Sequence, residues 1–257
     1  MSDPKIRLVD VCKAFDGNRA LDDISLEVAD GESLVLIGGS GSGKSLLLKT
    51  ILGLEAPDTG RIDIDGEDSV GLSGNERMAW MRRFGVLFQR QGLFDSLTVW
   101  ENVAFRLLQD PEIDKSAARA RAIEKLASVG LTADTADLHP AELSGGMQKR
   151  AGLARAIATD PEIIFLDEPT AGLDPIMSNI ISELIVARRS ELGATIISVV
   201  SDMAVVREIA ERVAMLHEGR IVWLGSVDEL ETTGNEYVHQ FVNQLVEGPI
   251  QMPSLAV

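Results

Sequence analysis

Cysteine is almost absent from the 257-residue chain, with Cys12 the only one. No disulfide can form within it, and the place of Cys12 in an apolar, strand-like run marks it as a small core residue rather than a reactive thiol. Long apolar runs are missing too: none approaches the roughly 20 residues needed to cross a bilayer. The start, MSDPKIRLVD, lacks the basic-then-apolar pattern of a signal peptide. The expectation is a water-soluble chain that stays in the cytosol and inserts into no membrane, so that any membrane role comes through partners. There is no basic surplus either, since the formal net charge is −16 at pH 7. That charge repels phosphate backbones and anionic lipid surfaces, which argues against nucleic acid or bare membrane as a direct partner.

What is present is ordinary globular material, 45% hydrophobic and 25% charged, enough for a large core and unlike a disordered chain. Strand-like runs bounded by turn residues occur at 6–11, 24–28, 33–37 and 61–64, then at 163–166, 195–200, 213–217 and 220–224. Residues 46–54 read as a helix. From about 73 to 159 the texture is mainly helical, with Ile123, Leu126 and Val129 at helical spacing within 117–129 and a further helix over 146–158. A short amphipathic helix follows Asn235, and Gly248-Pro249 is expected to end it. The alternation of strands and helices in the second half predicts a largely parallel α/β sheet, with an antiparallel layer on the N-terminal side. The expected organisation is one domain over 1–234, with 73–159 inserted as a helical subdomain, and an extension over 235–257.

Three motifs carry chemistry. Gly38-Gly39-Ser40-Gly41-Ser42-Gly43-Lys44-Ser45 fits the phosphate-loop pattern, in which main-chain N–H groups wrap phosphate oxygens at a helix N-terminus. Glycine is needed there because a side chain would hold the backbone away from the anion. Lys44 would reach the β- and γ-phosphates and the Ser45 hydroxyl would bind Mg²⁺. Second, the apolar run Ile163-Ile164-Phe165-Leu166 delivers Asp167 and Glu168 at the C-terminal end of a strand, where sheet ligands bind. Asp167 would hold Mg²⁺ through its water shell and Glu168 would polarise the attacking water. Third, in Leu143-Ser144-Gly145-Gly146-Met147-Gln148 the serine can cap the following helix and leave glycine N–H groups facing an anion.

In order and spacing these motifs, with Ala171-Gly172-Leu173-Asp174, resemble the ATP-binding-cassette (ABC) ATPases over about residues 5 to 230. The resemblance implies an α/β fold, a P-loop ABC-type nucleotide-binding domain with an antiparallel β layer and a helical subdomain, and ATP with Mg²⁺ as cofactors. It implies nucleotide contacts from Phe15, stacked on adenine, and from the loop Gly38–Ser45 with Leu46. Gln89 would sense Mg²⁺ and the γ-phosphate, and Asp174 would cross between subunits. Ser144, Gly145, Gly146 and Gln148 would contact nucleotide in trans, on a second ATPase subunit, most simply another copy of the chain. One departure stands out: where the family carries a histidine the chain has Ser201, and His139, His217 and His239 all lie elsewhere.

DNA-repair members separate the first and third motifs by long coiled coils, and translation-type members carry two cassettes per chain, so the resemblance implies a transporter subunit. Residues 91–105 (QGLFDSLTVWENVAF), with Leu93, Phe94, Leu97, Val99 and Trp100, stand where a permease's coupling helix would dock, from Gln91 to Phe105. Residues 88–99 and the tail at 240–249 are similar to the ATPases of Mla-type phospholipid transport. Those ATPases work with an MCE-domain protein, often a STAS-domain subunit, and a permease at the bacterial inner membrane. Alternatives are the ATPase of an amino-acid or other small-solute importer and, because of Ser201, a slow or regulatory ATP-binding module.

Overall fold

The computed structural model describes residues 3–89 and 92–251. It forms two compact units: one joins the chain up to Gly71 with the chain from Val199 onward, and the other is Leu72–Ser198. In chain order the strands are β1 (Ile6–Phe15), β2 (Asn18–Val28), β3 (Ser33–Ile37), β4 (Thr59–Ile64), β5 (Glu67–Asp68), β6 (Phe84–Leu87), β7 (Ile163–Asp167), β8 (Thr195–Val199), β9 (Arg212–His217) and β10 (Arg220–Ser226). The helices are α1 (Lys44–Ile51), α2 (Gly74–Met81), α3 (Val99–Val103), α4 (Lys115–Ser128), α5 (Gly145–Ala156), α6 (Pro175–Leu192), α7 (Met203–Ile209) and α8 (Glu236–Val242).

In the first unit β2, β1, β4 and β5 form an antiparallel sheet in that order. β1 runs beyond residue 11, where its alternation stops, because register shifts after Leu8 and Val11 break the two-residue period without ending the pairing. Cys12 is a correction to the sequence reading: it is only half-buried, and its Sγ accepts the Asp23 N–H at 3.3 Å. β3 is buried along its whole length and pairs in parallel with β9, as expected for a strand covered on both faces. Its last pairing, Ile37 with Met215, hands the chain to Gly38. Near the C-terminus α8 is capped by Asn235, whose Oδ1 accepts the N–H groups of Tyr237 and Val238. The helix ends at Asn243, ahead of Gly248-Pro249, because Gln244 turns to φ 54°. The expected stop was therefore placed too late.

In the second unit β6 pairs in parallel with β7, and Phe84 meets Phe165 edge-to-face at 5.6 Å. β6 was not expected, since four residues inside a helical stretch show no period of their own. Helices α3, α4 and α5 pack on one another, and α5 also seats on β6. Gly85 makes that seat possible: a Cβ there would lie 2.2 Å from the Ala156 carbonyl oxygen and 2.8 Å from Pro161 Cγ. Gly85→Ala must push α5 off β6, and we expect a loss of about 1–3 kcal/mol, read as a lower urea midpoint. A midpoint equal to wild type would mean the strand and helix can part without cost.

Candidate active site

The phosphate loop begins where β3 ends. Gly38 (φ 139°) and Gly43 (φ 104°) are both in the left-handed half of the map, and both lie against main chain. A Cβ on Gly38 would stand 2.1 Å from the Leu216 carbonyl oxygen, and one on Gly43 2.8 Å from that of Ala20. Neither position tolerates a side chain. The Lys44 ammonium donates to the carbonyls of Gly38 at 2.7 Å and Gly39 at 2.8 Å, so the loop curls around its own cation. Gly43 caps α1 without a side-chain acceptor and the first turn of α1 holds no carboxylate, so its positive dipole end is not neutralised from within. Ala20 and the run from Gly41 to Leu46, Ser45 included, line a recess of about 300 Å³.

Ser201 also lies near the loop. With Gly38, Gly39 and Ser40 it lines a cleft of about 950 Å³ whose other wall is the tail, including Phe241, Leu245 and Val246. Gln240 locks that wall: it is 5% exposed, its Nε2 donates to the Ile250 carbonyl at 3.0 Å and its Oε1 accepts the Ile250 N–H at 2.7 Å. Phe15 sits at the end of β1, 47% exposed, with the Lys13 ammonium 5.3 Å from the ring centre. Such a ring is free to stack on a flat ligand. His217 rests against Tyr237, ring centres 4.9 Å apart.

The second unit carries the other residues. Asp167, 7% exposed, ends β7, and Glu168 follows at φ 51°, a conformation that is uncommon outside glycine. Holding a non-glycine residue there costs on the order of 1–3 kcal/mol and persists only where neighbours enforce it. The buried Lys149 is such a neighbour: its ammonium donates to the Glu168 carbonyl at 3.1 Å and to the Gln89 carbonyl at 3.2 Å. Burial pulls the Lys149 ammonium below the usual lysine range, while the carboxylates of Glu168 and Asp167 oppose that shift. Sequence reasoning missed this residue. The available signal was a lysine on the same stripe of α5 as Leu153 and Ala156, where an apolar side chain was due.

Ser144 caps α5, its Oγ accepting the Met147 N–H at 3.3 Å. Ser144 and Gly145 are exposed, and a Cβ on Gly146 would meet Met177 Cε at 2.8 Å. The Gln148 amide donates to the carbonyls of Pro140 (2.9 Å) and Leu143 (3.3 Å), which secures the turn ahead of the helix. Asp174 caps α6, accepting the N–H groups of Ile176 at 3.0 Å and Met177 at 3.1 Å.

Of the apolar stretch expected to meet a permease, Gln91 lies outside the described residues. Val99 and Trp100 are core, 0% and 6% exposed. Phe94 is 41% exposed and lies against Phe105, ring centres 4.7 Å apart and planes tilted by 41°, with the Arg155 guanidinium 5.0 Å from the Phe94 ring. Asn102, wholly buried and missed from sequence, staples the turn before α3: its Oδ1 accepts the Phe94 N–H at 2.7 Å and its Nδ2 reaches the Phe94, Leu97 and Thr98 carbonyls. Among the described residues no helix is long and apolar enough to cross a membrane.

Comparison with known proteins identifies the family. A family model described as ABC transporter matches residues 21–171. The chain is 41% identical over 240 residues to a probable ribonucleotide transport ATP-binding protein, mkl, of Mycobacterium tuberculosis, covering 93% of this chain and 67% of that one. It is 37% identical over 267 residues to the chloroplastic protein TRIGALACTOSYLDIACYLGLYCEROL 3 of Arabidopsis thaliana, covering 97% and 76%. Against the methionine import ATP-binding protein MetN of Rhizobium johnstonii it is 45% identical over 226 residues, covering 88% and 62%. Among solved structures, a dimeric ATP-binding cassette in a post-hydrolysis state bound to ADP and Pi matches with a TM-score of 0.80 at 32% identity, over 86% of this chain and 98% of that one. A chain that folds as these cassettes do, and carries the loop, the capped signature turn and the strand ending in Asp167-Glu168, belongs to the ABC transporter family and is an ATP-binding, ATP-hydrolysing subunit of it.

Proposed function

We propose that two copies of the chain pair under an integral-membrane permease at the bacterial inner membrane and power phospholipid transport between the two membranes. The reading adds an MCE-domain protein and a STAS-domain subunit as partners. Residues 1–234 serve as the catalytic domain, with the helical part at 73–159, and 235–257 as an extension that steadies the pair. The observation that carries the lipid reading is the run at 88–99 and the tail at 240–249, taken with a relative named for a galactolipid that aligns over 97% of this chain. The exposed Phe94 supports a permease contact beside Leu93 and Leu97. A second reading, small-solute import, is favoured by the 45% identity to a methionine import protein.

At the site, Phe15 holds adenine and the N–H groups of residues 38–46 hold the phosphate chain, with Lys44 on the β- and γ-oxygens. Ser45, Gln89 and Asp167 offer a hydroxyl, an amide oxygen and a carboxylate, the hard oxygen donors that suit Mg²⁺. The ion, when bound, neutralises charge that develops on the phosphates. Glu168 orients a water on the γ-phosphorus and accepts its proton as the bond to ADP breaks. Ser144, Gly145, Gly146 and Gln148 of the second copy close the site, and Asp174 crosses at the same interface. Ser201 is shorter than the family's histidine and carries no charge, so a bridging water is its route to the γ-phosphate.

Steady-state phosphate release from the assembled transporter checks these roles. Glu168→Gln should keep ATP binding and lower turnover at least ~10²-fold, whereas Lys44→Ala should weaken both. Ser201→Ala should change turnover less than about tenfold, roughly 1.4 kcal/mol in barrier. Wild-type turnover in Glu168→Gln would remove the base, and a Ser201→Ala as inactive as Glu168→Gln would give the serine an essential role. For the cargo, the intact complex should co-purify with an MCE-domain protein and carry phospholipid detectable by mass spectrometry. Recovery of a periplasmic solute-binding protein instead would favour small-solute import.

A further inference from the structure

Helix α5 connects two surfaces that, in the reading above, serve different nucleotides. Its first turn, capped by Ser144 with Gly145 exposed, faces the ATP of a second copy. One turn on, Lys149 is 2% exposed and hydrogen-bonds two main-chain carbonyls, those of Gln89 (3.2 Å) and Glu168 (3.1 Å). Both residues act on the nucleotide of the chain's own phosphate loop in that reading. A buried ammonium is expensive unless it is matched by acceptors, and here the acceptors are the backbones of two site residues that are far apart in sequence and brought to one point.

We propose that Lys149 is a positioning residue that ties the signature helix to the backbones of Gln89 and Glu168, so that docking of Ser144–Gly146 on the partner's nucleotide is transmitted to the residues that act on this copy's own. The inference rests on the proposed dimer and on Glu168 as base. Three features of the geometry support it. Glu168 sits at φ 51°, so its carboxylate direction depends on what fixes its main chain. Its carbonyl also accepts the Ala171 N–H at 3.3 Å, so the ammonium joins a turn that closes back on the same main chain. Gln89 is exposed, so the lysine bond to its carbonyl ties its main chain to the helix where its side chain is not packed. Because helix and carbonyls are joined by one ammonium, a small shift of α5 moves both residues together.

The test is the ATP dependence of phosphate release by the assembled transporter carrying Lys149→Met or Lys149→Arg, beside wild type and Glu168→Gln. Wild type should be cooperative in ATP. Lys149→Met fills the same space without donors and should lower kcat at least about tenfold, with KM within about threefold and the Hill coefficient reduced to about one. Lys149→Arg keeps donors for both carbonyls and should recover most of the rate and the cooperativity. If Lys149→Met does not assemble, the Arg variant decides: retained cooperativity supports the tie, and a Hill coefficient of one with normal kcat overturns it. Three other outcomes overturn it as well: a Met variant within twofold of wild-type kcat, a parallel loss of kcat and ATP affinity, or a wild type without cooperativity. An inactive Glu168→Gln beside a normal Lys149→Met would sink the tie alone and leave the assigned base standing; an active Glu168→Gln would remove the base and the tie with it.

Discussion

The proposed site depends on a loop so tightly seated against the protein's own main chain that it leaves no room for a Cβ, with its N–H groups turned toward a phosphate chain. The constraint is visible at Gly38, where a Cβ would lie 2.1 Å from the Leu216 oxygen, a position set by the pairing of Ile37 with Met215. The same loop carbonyls that crowd together are held by Lys44. A charged hydrogen bond to phosphate is stronger than one to a neutral carbonyl, so the ammonium can exchange one set of acceptors for the other and gain by it. Buried parallel strands thus set the loop, the loop sets the cation, and in the proposed site the cation meets the anion.

In the second unit the equivalent demand is rigidity behind a strained residue. β7 is fully buried and carries Asp167 to the sheet edge, but Glu168 turns left-handed and needs support. That support comes from α5 through Lys149, and α5 can approach only because Gly85 lacks a Cβ. A glycine in a short strand, a lysine in a helix and a glutamate after a strand form one chain of dependence. In the proposed tie it links core packing to the direction of a carboxylate.

Much of this was legible in the sequence because motif chemistry is local. The phosphate loop, the Ser144 cap and the Asp167-Glu168 strand end each follow from a few adjacent residues whose spacing is the mechanism. What escaped was what depends on contact between distant segments. Lys149 reaches residues 60 and 19 positions away in sequence, and composition marks it only as one more basic residue on a helix. Asn102 carries no signal of its own in the sequence, yet it is wholly buried and organises the turn at 94–98. β6 is too short to show a period, and Cys12 lies on the side of β1 where register shifts break the alternation. At the tail, Gly248-Pro249 looked like a helix stop, but the buried Gln240 holds the chain beyond Asn243 by its own side-chain bonds, which no local rule announces.

The central claim is that ATP joins the phosphate loop of one copy to the capped glycine turn of another. Sedimentation of the Glu168→Gln chain with and without saturating Mg·ATP tests it most directly, since slowed hydrolysis preserves whatever the nucleotide assembles. The account predicts a monomer that becomes a dimer only when Mg·ATP is present. A chain that stays monomeric with nucleotide bound, or a dimer indifferent to it, would contradict the account.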